Sequence, residues 1–135
     1  MKKILFLFLA IMVTTGCQSK SVTGETISVE SGTYQNVTPT VLQTMLKNKD
    51  FVFINVHIPF AGNIPGTDLS IPYNEIKQNL SQLPADNSTK IVLYCSSGRM
   101  SQMAADELVS LGFTNVWNLK GGMTEWQQAG FELEQ

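Results

Sequence analysis

Apolar residues in this chain fall into two kinds of pattern, and the two alternate along the sequence. Phe51-Val52-Phe53-Ile54 and Ile91-Val92-Leu93-Tyr94 are unbroken apolar runs, the pattern of strands buried on both faces. Val116 to Leu119 reads as a further strand and Asp68 to Ile71 as a short element. Between them the spacing is helical. Val41, Leu42, Met45 and Leu46 share one stripe behind Thr38-Pro39, a threonine N-cap with proline in the first turn. Met100, Met103, Ala104, Leu108 and Leu111 recur at helical intervals and stop at Gly112-Phe113, a glycine C′ with an apolar residue behind it. A weaker helix is predicted within Tyr73 to Leu83, and a closing helix from Met123 to Ala129 after a tight turn at Gly121-Gly122. Pro59, Gly62, Pro65 and Gly66 mark a loop. Strands alternating with helices predict a single α/β domain with a mostly parallel central sheet and helices on both faces.

The first residues break this pattern. Met1-Lys2-Lys3 is a basic start, Ile4 to Val13 an apolar run, and Thr14-Thr15-Gly16 a set of small residues before Cys17. Together they predict a secretory signal peptide over 1–16, with an apolar run too short to span a bilayer. A cysteine at that boundary resembles a bacterial lipoprotein signal, although Thr14 stands where leucine is usual. The resemblance implies an acylated Cys17 as the new N-terminus and an extracytoplasmic protein lipid-anchored to the cell membrane. Gln18 in place of aspartate points to the outer membrane in a two-membrane bacterium. Residues 17–36, rich in Ser, Thr, Gly, Glu and Val without helical periodicity, are expected to be a lipid-attached tether, and 37–135 the folded domain.

Processing before Cys17 removes Lys2 and Lys3, so seven basic residues face eleven acidic ones and the net charge moves from −2 to −4. Nucleic acid is therefore not an expected partner. It also leaves Cys95 as the single thiol, unable to form an internal disulfide. Cys95 follows a predicted strand and precedes Ser96-Ser97-Gly98-Arg99-Met100, in which Arg99 is the chain's only arginine. A strand end, small residues that let backbone N–H groups turn inward, and a following helix N-terminus together favour a thiolate working on an anion. The plainer alternative is a buried, inert cysteine at a strand end.

Three blocks resemble the rhodanese-like domains and cover about residues 33–134. They are Phe53-Ile54-Asn55-Val56-His57 through Gly62-Asn63-Ile64-Pro65-Gly66-Thr67, then Tyr94 to Ser101, then Asn115-Val116-Trp117-Asn118-Leu119-Lys120-Gly121-Gly122-Met123 with Trp126. The resemblance implies that Cys95 is a persulfide-forming nucleophile. Ser96, Ser97, Gly98, Arg99 and Met100 would bind the anion, with Arg99 as its charged partner. It further implies transfer of a sulfane sulfur from a small anionic donor such as thiosulfate to a thiophilic acceptor, cyanide or a thiol, with no cofactor and no metal. Departures from the family pattern are Asn55 for aspartate, His57 for arginine, Asn63 for histidine and Ser96 for a frequent arginine, all reducing charge around the loop.

The lone histidine, His57, is expected in loop structure rather than as a base, since a thiolate already formed needs none. Met100, Met103 and Met123, by their helical spacing, are expected as core filling rather than soft-metal ligands, and Trp117 and Trp126 as core aromatics rather than a substrate cage. Two other functions remain as alternatives. One is a non-catalytic sulfur-carrier or binding module at the membrane. The other is a phosphatase or arsenate reductase, whose loops are longer and place arginine where this chain has Ser101; here the loop counts six residues, Cys95 to Met100.

Overall fold

A computed structural model describes residues 22–135. The expected signal peptide and Cys17 itself lie outside the described residues. Strands β1 (Glu25–Val29) and β2 (Gly32–Val37) are followed by helix α1 (Pro39–Lys47), β3 (Val52–Asn55) and the two-residue β4 (Leu69–Ser70). A short 3₁₀ stretch, Lys77–Gln82, leads to β5 (Ile91–Tyr94), α2 (Arg99–Ser110), β6 (Val116–Leu119) and α3 (Gly122–Gln128). The six strands form one sheet in the order β1-β2-β6-β5-β3-β4. Every pairing is parallel except β1 with β2.

The unbroken apolar runs are strands covered on both sides. In β5, Ile91 and Leu93 face a core built with Ala104, Ala105 and Leu108 of α2. Val92 and Tyr94 face the other core, with Leu42 and Met45 of α1 and Met123 and Trp126 of α3. Continuing that alternation by one residue places Cys95 on the α2 side. The caps read from the sequence are present: Thr38 Oγ1 accepts from Val41 N–H at 3.4 Å. At the end of α2, Phe113 N–H reaches Leu108 C=O and Gly112 N–H reaches Val109 C=O, both at 3.1 Å, the paired bonds of a Schellman ending.

The tether expected over 17–36 is corrected in its second half. Residues 25–37 form the β1–β2 hairpin, which extends the sheet by two strands, so the fold begins near Glu25 rather than at 37. Its strands alternate polar with only a few apolar residues. Ile27, Val29 and Tyr34 turn to the α2-side core, while Glu25, Thr26 and Ser28 stay exposed. That period of two is the half-buried edge pattern, and an absence of helical periodicity does not detect it. The helix expected within Tyr73 to Leu83 is the 3₁₀ stretch, interrupted at Asn79, where φ is −115°.

Candidate active site

Cys95 is the first residue beyond β5, at the sheet edge where the parallel strands end. Two turns of backbone shape the loop after it. Gly98 takes a left-handed conformation, φ +95°, immediately before α2 starts at Arg99. On the other side, Gly121 and Gly122 are left-handed as well, with φ +77° and +57°, and bring the first amides of α3 against the loop. Met123 N–H donates to Cys95 C=O at 2.8 Å and Thr124 N–H to Ser96 C=O at 2.9 Å. A Cβ on Gly122 would stand 2.3 Å from Cys95 O and 2.7 Å from Ser96 O, so only glycine permits this approach.

These two bonds hold the Cys95 and Ser96 carbonyls against α3. The Cys95 Sγ accepts from Gly98 N–H at 3.1 Å and from Ser101 N–H at 3.4 Å. Among the described residues, the N–H groups of Ser96, Ser97, Arg99 and Met100 donate to no protein acceptor. The last two belong to the first turn of α2, which has no partner within the helix. Two backbone N–H groups therefore meet at one sulfur, an arrangement that favours negative charge there.

Ser101 adds its side chain to this arrangement, and its part is not evident from the sequence. Fully buried, its hydroxyl lies 3.5 Å from Cys95 Sγ and donates to Gly98 C=O at 3.1 Å. With the hydroxyl proton on Gly98, the oxygen can accept the Cys95 S–H proton; rotation of the same hydroxyl would let it donate to an ionised sulfur. The signal available in the sequence is a small polar residue on the buried stripe of α2, between Met100 and Ala104.

The remaining expected residues divide. Cys95 is buried, 1% exposed, and Ser96 and Met100 are half-buried, with Met100 packed on the α2-side core. Ser97 and Arg99 are exposed, and Arg99 joins none of the ion pairs among the described residues, all of which use lysine. At 1% exposure, Cys95 is reachable only by a donor small enough to enter the loop. His57 makes no hydrogen bond to Cys95; its backbone N–H is held by Asn55 Oδ1 at 3.0 Å.

Neutral groups hold the neighbouring loop where the family pattern has charges. Asn55, buried at the end of β3, donates from Nδ2 to Gly62 C=O and to Asn63 Oδ1, both at 3.0 Å. Tyr94 Oη accepts from Ile64 N–H at 3.0 Å and has two further hydrogen-bond partners for its one proton and its lone pairs, Thr67 Oγ1 at 2.7 Å, where either hydroxyl can donate, and the acceptor Asn63 Oδ1 at 3.2 Å. Burial pushes the Tyr94 hydroxyl pKa above its ordinary value, against the opposing hydrogen bonds from Thr67 and Ile64.

Comparison with known proteins agrees with this geometry. The family model described as Rhodanese-like domain matches residues 39–129. A protein of Allochromatium vinosum named Sulfurtransferase is 30% identical over 94 residues, covering 67% of this chain and 85% of that protein. An uncharacterized protein of Synechocystis is 35% identical over 104 residues, 74% of this chain, which spans 57% of that protein's length. The crystal structure of a rhodanese-related protein from Thermoplasma volcanium is 25% identical, with a TM-score of 0.63 over 74% of this chain and 97% of the other.

Proposed function

Since the chain belongs to the rhodanese-like domain family, we propose that it is a sulfurtransferase moving a sulfane sulfur from a small anionic donor, such as thiosulfate, to a thiophilic acceptor through a persulfide on Cys95. The Cys95 thiolate attacks the outer sulfur of the donor. A bond forms between the two sulfurs, the donor's S–S bond breaks, and sulfite leaves with its electron pair. The acceptor then takes the outer sulfur and restores the thiolate, so that one difficult transfer becomes two easier ones.

The observation that carries this reading is the pair of backbone N–H groups, of Gly98 and Ser101, donating to the Cys95 sulfur. Donors fixed in place before the reaction stabilise the negative charge that moves between donor, Cys95 and outer sulfur, each such donor contributing about 2.7–4 kcal/mol where it has been removed in comparable sites. Arg99, exposed and outside every ion pair among the described residues, is free to meet the incoming anion. Cys17 supplies the location: acylated, it holds the domain to the outer face of a cell membrane. Several acyl chains bind firmly where a single one is marginal.

Thiocyanate formation from thiosulfate and cyanide, run beside release of phosphate from a phosphate monoester, tests the reaction. Turnover of thiosulfate in the wild type, absent from Cys95→Ser, is expected, with no phosphate released. Phosphate release without thiocyanate would replace this reading by the phosphatase one.

A further inference from the structure

Ser101 brings two groups to one sulfur. Its backbone N–H donates to Cys95 Sγ at 3.4 Å, and its hydroxyl lies 3.5 Å from the same atom. The residue sits in the first turn of α2 and is 0% exposed, so solvent does not reach that hydroxyl. The hydroxyl has one proton and two acceptors within reach, Cys95 Sγ and Gly98 C=O, the latter at 3.1 Å. Gly98 C=O does not depend on it. The same carbonyl accepts from Gln102 N–H at 3.1 Å, the ordinary bond of a first helical turn. The hydroxyl can therefore turn from Gly98 to the sulfur without leaving a buried carbonyl unpaired, which is the usual cost of such a rotation.

Which acceptor takes the proton depends on what the sulfur carries. An ionised Sγ holds a full negative charge and is the stronger acceptor. In a persulfide, Sγ is a neutral sulfur of the disulfide kind and the charge sits on the outer atom, so the proton belongs on Gly98. Wholly buried, Ser101 is not on the path by which a donor arrives, and its hydroxyl meets the inner sulfur rather than the outer one. Among the described residues no titratable side chain hydrogen-bonds to Sγ, neither His57 after β3, Arg99 on α2, Lys120 after β6 nor Glu125 on α3. Charge on the inner sulfur is met by two fixed amides and one movable hydroxyl.

We propose that Ser101 is the leaving-group hydroxyl of the second half-reaction, turning from Gly98 C=O to Sγ as the Cys95 persulfide is discharged. The inference rests on the sulfur transfer proposed above. In that step the acceptor, cyanide or a thiolate, attacks the outer sulfur and forms a bond to it. The S–S bond to Cys95 breaks and its electron pair returns to Sγ, where the hydroxyl proton meets the growing charge. No oxidant or reductant is consumed. Loading runs the other way, since Sγ starts ionised and loses its charge as it bonds to the donor's outer sulfur. Only an interaction stronger in the transition state than in the ground state accelerates a step, so Ser101 speeds discharge and not loading.

The experiment compares wild type with Ser101→Ala in the full chain, at a pH where alkylation of Cys95 by iodoacetamide has reached its plateau in both. Ser101→Ala keeps Gly98 C=O paired with Gln102 N–H and should fold. In a two-step transfer, kcat/KM for the donor reports loading and kcat/KM for the acceptor reports discharge. With thiosulfate and cyanide, the value for cyanide should fall about tenfold, the scale of a hydrogen bond to a charged group. The value for thiosulfate should stay at or above that of wild type, and sulfur should accumulate on Cys95 during turnover. The pH midpoint of alkylation, followed on the Cys95 peptide by mass spectrometry, should rise in Ser101→Ala because the anion has lost a donor. Equal falls in the two kcat/KM values would overturn the proposal and leave Ser101 as loop structure. An unmoved midpoint would overturn the contact between hydroxyl and ionised sulfur on which it depends. A midpoint that moves in protein that transfers no sulfur would remove the sulfurtransferase reading, and the leaving-group role with it, while leaving that contact in place.

Discussion

A single methyl group at Gly122 should disable the Cys95 loop without unfolding the domain. Two effects act on Gly122→Ala. The first is local strain, since φ is +57° there and a left-handed backbone costs a residue with a Cβ about 1–2 kcal/mol. The second is collision: the new Cβ would lie 2.3 Å from Cys95 O, against an ordinary contact beginning at 3.4 Å. The obstacle is backbone, so the loop itself must retreat by about 1 Å, and a misplacement of that size at a reacting centre costs about a hundredfold in rate. Gly130 provides the matched control. Its φ is +89°, yet a Cβ there meets nothing within 4 Å, so Gly130→Ala carries the strain without the collision. Gly130→Ala should lose about 1–2 kcal/mol in urea unfolding and Gly122→Ala about 1–3 kcal/mol more for the collision, losses that a domain of ordinary stability, about 5–15 kcal/mol, survives. Thiocyanate production should fall about a hundredfold in Gly122→Ala and stay within about twofold of wild type in Gly130→Ala. Equal activity in the two variants would refute the claim that the α3 amides set the shape of the loop.

Other consequences are independent of that one. Arg99→Ala should fold normally, because the side chain is exposed and outside every ion pair among the described residues. Losing a charged partner of the donor costs about 1.5–3 kcal/mol, which is tenfold or more in thiosulfate turnover; unchanged turnover would mean the backbone donors act alone. Tyr94→Phe removes the acceptor of the Ile64 N–H, and leaving a buried donor unpaired should cost about 1–3 kcal/mol in urea unfolding at neutral pH. The Tyr94 pKa is raised in the folded state, chiefly by burial. Its contribution is therefore fully present below the ordinary tyrosine range and is lost as pH rises through about 10 and above. Wild type should lose stability more steeply than Tyr94→Phe in that window, with Tyr34, raised for the same first reason, contributing to both.

Much of the fold is legible because its central strands are buried on both faces. Phe53 and Ile54, or Ile91 to Tyr94, need apolar side chains at every position, and such runs stand out. Thr38, Pro39, Gly112 and Phe113 fix helix ends through local chemistry alone. The β1–β2 hairpin is hidden because an edge strand with one wet face needs few apolar residues. Here Ile27, Val29 and Tyr34 suffice, among residues whose composition resembles a linker. At the site, Cys95 and the glycines announce themselves by type and spacing. Ser101 does not, because its role depends on where the first turn of α2 lands relative to the sulfur. The same limit applies to Asn55 and Asn63. Their neutral hydrogen bonds replace charges that the family pattern leads one to expect, and only the fold shows that they meet each other and Tyr94.

The central claim, that Cys95 is a sulfur-carrying nucleophile, is tested most directly by intact-mass spectrometry of the folded protein after incubation with thiosulfate and removal of excess donor. The account expects a gain of one sulfur atom, about 32 Da, located on the peptide containing Cys95, discharged by cyanide and absent from Cys95→Ser. An unmodified mass in folded wild-type protein, under conditions where other members of the family take up sulfur, would contradict it.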